Sequence, residues 1–247
     1  MSERVEVEFE VGGPMGATTT KLAVNTGPMR LAELAQMVHR VTDELVARCV
    51  AREEQAGRRL SCRAGCGKCC NQIVPMSGPE ALFLVDHVMA RPEAEQDEVI
   101  ARYEAVAAAV DKGGFTAQLS ALAGDLSQVD LAGLAAEYYA LEVPCFLLSS
   151  GSCRYYEARP TICRLYNVTT PAEWCADRSL GRPRTVPMPG GMSQPLAAAM
   201  AQLTGQAEEL VPLNRVFDWV RDHPDLYQRR WPGLELFEAL VAQLPSP

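Results

Sequence analysis

What this chain of 247 residues lacks narrows its function first. No uninterrupted apolar run approaches the ~18 residues that a membrane-spanning helix requires. The opening stretch "MSERVEVEFEV" alternates charged and apolar residues where a secretory signal needs a continuous apolar block. Lys and Arg number 23 against 31 Asp and Glu, giving a formal net charge of -8. A phosphate backbone is then an unfavoured partner, so neither nucleic acid nor a membrane is expected. Histidines are scarce: His39, His87 and His223 are the three. Each lies in or beside a predicted helix, where an imidazole more often serves packing than ligation. No repeat at solenoid periods is visible, and no strand–Gly-rich turn–helix offers a nucleotide site. The expectation is a soluble, cytoplasmic protein in a reducing compartment. With 48% hydrophobic residues it has enough apolar surface for a core without disulfide staples.

The periodicity predicts a mainly helical fold with a small β element. Val5, Val7, Phe9 and Val11 repeat at a step of two, as a half-buried strand does. "GGPMG" (Gly12–Gly16) then breaks the chain, and "TTTKLAVNT" reads as a returning strand, making an N-terminal hairpin over residues 1–28. From Leu31 the step changes. Leu34, Val38, Val41, Leu45 and Cys49 recur every three or four residues, an amphipathic helix running towards Gly57. "SGPE" at Ser77–Glu80 has the form of a capping box, with Ser77 as N-cap and Glu80 reaching back. Further helices are predicted up to Val110, with Gly113 as stop, and over Val129–Leu141. Residues 29–180 thus read as a helical unit. The stretch "GRPRTVPMPGGMSQP" reads as a loop or linker, although the Ala-rich segment near Ala197 favours helix. Two C-terminal helices are expected beyond it, one opened by Pro212, so that 181–247 pack on the same unit.

What is abundant is cysteine, with nine residues. Four of them fall in "SCRAGCGKCC": Cys62, Cys66, Cys69 and Cys70, a C-x3-C-x2-C-C pattern. Cys145, Cys153, Cys163 and Cys175 follow in a loop-rich stretch. Cys49 lies on the apolar stripe of its helix and is left out as a buried small thiol. A reducing compartment disfavours a disulfide framework, which leaves metal binding or catalysis. Short gaps let one turn present two sulfurs to an ion that needs its ligands within ~2.3 Å. Gly65 and Gly67 permit the tight backbone such a turn requires. Neighbouring side chains diverge, so Cys69 and Cys70 imply two centres sharing a loop, one ligand beside a bystander thiol, or a strained vicinal disulfide. Arg63, Lys68, Arg154, Arg159 and Arg164 interleave the thiols, where cations offset thiolate charge and lower thiol pKa values. The three spacings of Cys62, Cys66 and Cys69 also match the motif of radical S-adenosylmethionine enzymes. Those enzymes place it after the first strand of a βα barrel, whereas here it follows a helix and no strand–helix alternation appears.

"CRAGCGKCC" followed by an acidic capped helix, and then "PCFLLSSGSCRYYEARPTICRLY", resembles the YkgJ-type cysteine-cluster family, whose members are described as chelating zinc or iron. Flagellin lysine N-methylases share its motif. The second motif matches at Pro144, Cys145, Cys153, Tyr156, Glu157, Arg159, Pro160, Cys163 and Arg164. The resemblance implies a metal site built from Cys62, Cys66, Cys69, Cys70, Cys145, Cys153, Cys163 and Cys175, with Cys175 at its edge. It implies supporting roles for Arg159, reaching Glu157 or the loop carbonyls in a planar fork, and for Arg164, both at the cofactor. The expected cofactor is iron, as an iron–sulfur cluster, or zinc, since all-thiolate ligation suits either. Catalytic residues stay unassigned. The competing expectations are a protein-modifying enzyme of the methylase type and a structural zinc module that binds a protein partner.

Overall fold

A computed structural model of the chain describes residues 3–12, 16–120, 130–188 and 190–245. It is mainly helical with a small N-terminal hairpin, as the periodicity predicts. Strands β1 (Arg4–Val11) and β2 (Thr18–Asn25) pair antiparallel in a register that sets Arg4 opposite Asn25 and Val11 opposite Thr18. Phe9 and Val11 turn inward, while Glu8 and Glu10, which alternate with them, face water. The expected turn residues Gly13, Pro14 and Met15 lie outside the described residues, as do Val129 and Pro189.

Three short pairings close the chain on itself. β3 (Pro28–Met29) meets β8 (Trp231–Pro232), β4 (Pro75–Ser77) meets β7 (Leu210–Pro212), and β5 (Leu148–Ser149) meets β6 (Ser152–Cys153). The first two join residues more than 130 positions apart, and no periodicity announces elements this short. Around them run α1 (Leu31–Gln55), α2 (Gly78–Met89), α3 (Glu93–Lys112), α4 (Thr116–Ser120) and α5 (Leu131–Ala140). Then come α6 (Thr161–Leu165), α7 (Glu173–Ala176), α8 (Ser193–Thr204), α9 (Val216–Asp222), α10 (Pro224–Gln228) and α11 (Gly233–Val241). The stretch read as a linker therefore ends inside a helix: α8 starts at Ser193, with Pro195 in its first turn, where a missing N–H costs nothing. The helix expected after Pro212 begins as a 3-10 turn over Leu213–Arg215 before α9.

One continuous core runs from Phe9 through the α1 stripe and α2 to Leu240 in α11. The stripe behaves as its spacing predicts: Leu34, Val38, Val41, Leu45 and Cys49 are all buried. α1 and α2 pack against each other and are pinned by Arg30, whose guanidinium meets Asp86 at 2.6 Å. Against them lie α8, α9 and α11, while the second cysteine loop meets α1 through α6 and α2 through the turn at Tyr156–Ala158. Among the described residues, no helix is long and apolar enough to cross a membrane.

Candidate metal centre

The first cysteine loop leaves α1 and folds into two consecutive turns. Cys66 N–H donates to Arg63 O at 3.1 Å, and Cys70 N–H donates to Gly67 O at 3.0 Å. Gly65 takes φ +83°, a left-handed conformation that suits glycine. The second loop is the β5–β6 hairpin, turning at Ser150 and Gly151. The two loops meet backbone to backbone. Cys145 N–H donates to Cys70 O at 2.6 Å, and a Cβ on Gly151 would stand 2.9 Å from Gly65 O. A third segment closes the ring: Ser61 N–H donates to Val168 O at 2.9 Å, and Val168 N–H meets the Cys62 sulfur at 3.4 Å. Cys175 comes in on α7, its carbonyl held by the Tyr139 hydroxyl at 3.0 Å.

The thiols accordingly lie within one another's electrostatic reach, although the sequence separates them by about a hundred positions. Cys175 feels Cys69, Cys62 and Cys66, while Cys163 feels Cys145, Cys69 and Cys153. Cys69 shares a side-chain hydrogen bond with Cys70, which together with burial pushes its pKa far up. Burial raises Cys62, Cys153 and Cys163 as well, and Cys145 to about 12 and Cys175 to about 11. All nine cysteines are free thiols, so neither the disulfide framework nor a vicinal disulfide is present. Cys49 is buried on the apolar stripe of α1. Among the described residues, no set of three or more His, Cys, Asp or Glu stands arranged to hold an ion. Neutral thiols have no mutual attraction that would draw them to a common point. Ligation requires loss of their protons, which an incoming cation drives.

Arg102 acts on Cys145 and Arg164 on Cys153, but one arginine reaches more of the thiols than either. Arg159 acts on Cys62, Cys69, Cys153 and Cys163, lowering each against the larger effect of burial. Its guanidinium lies 4.0 Å over the Tyr156 ring and donates to the Tyr156 hydroxyl at 3.0 Å. Its Nε is buried without a hydrogen-bond partner, as is the Oδ1 of Asn71 beside Cys70. Of the two contacts expected for Arg159, the loop carbonyls are taken by Arg164, and the Glu157 carboxylate lies 3.9 Å from His87 Nε2. Arg164 donates to the carbonyls of Arg159, Tyr156 and Glu157 at 2.9, 3.3 and 2.5 Å, and to Asp43 at 2.5 Å. With one further contact, 3.4 Å to His39 Nδ1, its donors are spent on holding the loop to α1.

The residue that the sequence reading undervalues is Glu80. It caps α2 as expected, taking the N–H and hydroxyl of Ser77 at 2.8 Å each. Its other oxygen accepts the Thr161 N–H at 2.7 Å, across 81 positions, and so fastens the Cys153–Cys163 loop to α2. Thr161 Oγ1 meets Ser193 Oγ at 2.8 Å, bringing in α8. Full burial would raise the Glu80 pKa, but His39, 3.6 Å away, and these hydrogen bonds outweigh it and hold the carboxyl at about 2. The capping-box signature was the only local clue. Nothing in it tells of Thr161.

Residues 61–179, just under half of the chain, match the family model with the motif CxxCxxCC, described as a zinc- or iron-chelating domain. This segment belongs to that cysteine-cluster family. No curated protein and no solved structure matches the chain. The cysteine-cluster domain spans the loops described above, from Ser61 to the end of the α7 region. Its donors suit the group that the family name implies. Sulfur-rich sites select zinc and iron over calcium or magnesium, and Arg159 supplies the positive charge an anionic thiolate centre needs.

Proposed function

We propose that the protein holds iron, as an iron–sulfur cluster, or zinc, through Cys62, Cys66, Cys69, Cys70, Cys145, Cys153, Cys163 and Cys175. The meeting of the two cysteine loops, with Cys145 N–H on Cys70 O at 2.6 Å, carries the reading. Residues 29–180 form the chelating unit, with the hairpin of 1–28 and the segment 181–247 packed on it. Eight thiolates exceed the four that one ion or one iron–sulfur cluster takes, so the reading implies more than one metal centre. When bound, iron supplies electron transfer or sensing and zinc supplies a cross-link.

This chain's own residues do the rest. Arg159 keeps a buried Nε–H without a partner and offsets the charge of the thiols it acts on. Arg164 holds the loop that carries Cys153 and Cys163, and Glu80 anchors Thr161 two residues before Cys163. The working compartment is the reducing cytoplasm, where free thiols persist. Iron is favoured on the family resemblance, since the all-thiolate donors by themselves suit either metal. The test is elemental analysis beside an absorption spectrum on protein purified without oxygen. Stoichiometric iron with brown absorption is expected. Colourless stoichiometric zinc would turn the reading to a structural module, and a folded protein with no metal would end it.

A further inference from the structure

The cysteine loops carry a charge opposite to that of the rest of the molecule. Residues 56–70 and 151–186 hold ten Lys and Arg against three Asp and Glu, in a chain with 23 against 31. The remainder is correspondingly strongly acidic. Backbone pairing gathers part of this positive charge into one ribbon. Ser61 bonds Val168, Val168 bridges Thr185, Thr169 N–H donates to Arg184 O at 3.0 Å, and Val186 N–H donates to Asn167 O at 2.8 Å. Arg59 and Arg63 flank Ser61 on one strand of the ribbon, and Arg182 and Arg184 lie on another. All four are exposed. Among the described residues Arg59, Arg63 and Arg182 have no ion-pair partner. Arg184 acts on Glu53, whose carboxylate already binds Arg58 at 2.5 Å. Cys62 sits inside the ribbon, with its sulfur under the Val168 N–H.

We infer that this ribbon is a docking face for the acidic surface of a partner protein, placed so that the partner covers the thiol loops. Unpaired arginines gathered on an acidic protein give a small positive target in a negative field. That arrangement orients an approaching acidic face and speeds its encounter without requiring a large interface. A compact acidic face fits better than a long polyanion. A nucleic-acid strand running past the ribbon, or an anionic bilayer lying across it, would meet the acidic remainder and be repelled. That the partner exchanges electrons or metal with the thiols rests on the proposed function; the docking itself does not.

The experiment uses the full metal-loaded chain and a labelled deca-glutamate peptide as probe, read by fluorescence anisotropy at 10 mM and 300 mM salt. The Debye length shrinks from about 30 Å to below 10 Å over that range. Binding at low salt that is lost at high salt is expected. The triple variant Arg59→Glu, Arg182→Glu, Arg184→Glu should bind at least tenfold more weakly, and the control Arg4→Glu, Arg40→Glu within about twofold of the parent. The variant should keep the parent's melting temperature and metal content. No binding at 10 mM salt, or an equal loss in the control, overturns the inference. So does tighter binding of a 20-nucleotide single strand or of phosphatidylserine vesicles. Salt-sensitive self-association that the triple variant abolishes would assign the ribbon to a second copy and overturn it too. A protein that carries no metal yet binds the peptide through these arginines would sink the proposed function and leave the docking face standing.

Discussion

Replacing Glu80 with Gln changes one oxygen into an amide and leaves the shape of the side chain intact. Glu80 is fully buried, with one oxygen taking both donors of Ser77 and the other taking Thr161 N–H. Glutamine has a single carbonyl oxygen. Facing Ser77, it turns its NH2 towards the Thr161 N–H, and donor meets donor. An orphaned buried N–H costs about 1–3 kcal/mol, and the bonds that remain lose the charge that strengthened them. Burying an amide in place of a carboxylate gives some of this back. The balance is a loss of about 3 kcal/mol, or roughly 6–12 °C in melting temperature for a domain of this size. The pH dependence supplies a second reading. The folded pKa of Glu80, about 2, lies below the ordinary value of 4.5, so its stabilisation is present above pH 4.5 and fades as the pH falls towards 2. Urea titrations of parent and E80Q from pH 7 to pH 3, followed by circular dichroism, should show a gap that is widest at pH 7 and narrows below 4.5. A melting temperature within 2 °C of the parent at pH 7, or a gap unchanged in acid, would refute the account of Glu80 as the anchor of the second loop.

Gly151→Ala should destabilise the protein by about 1–3 kcal/mol, because the residue sits at φ +78° and the new Cβ would press on Gly65 O at 2.9 Å. A chelator challenge should then strip its metal faster than the parent's. Cys66→Ser or Cys69→Ser should lower metal content and the stability of the middle of the chain, since ligation is coupled to folding. Cys49→Ala should keep the parent's metal content and lose only packing on the buried face of α1, and a metal loss there would make Cys49 a ligand. Arg159→Lys removes the planar group stacked 4.0 Å over Tyr156, and with it a buried Nε–H that has no partner. Metal retention under chelator should fall while the melting temperature of the metal-free protein moves by about 1 °C or less, and an unchanged retention would make Arg159 a loop residue alone.

The hairpin, the α1 stripe, the burial of Cys49 and the Ser77–Glu80 cap were legible in the sequence because each depends on residues within one or two turns of one another. The cysteine spacing was legible for the same reason, and residues 61–179 bear out the family it resembles. The two- and three-residue strands were not, since a pair such as Met29 and Trp231 leaves no period to read. Nor was the exchange of roles between the arginines. "YEARPTICR" names two guanidinium groups, and only the packing of the loop against α1 sends Arg164 to Asp43 and the carbonyls while Arg159 stays over Tyr156. Local sequence determined the hairpin, the α1 stripe and the close spacing of the thiols. Which loop meets which was decided by long-range bonds, Glu80 to Thr161 and Cys145 to Cys70 above all, because a hydrogen bond across 80 positions exists only once the helices between them have packed.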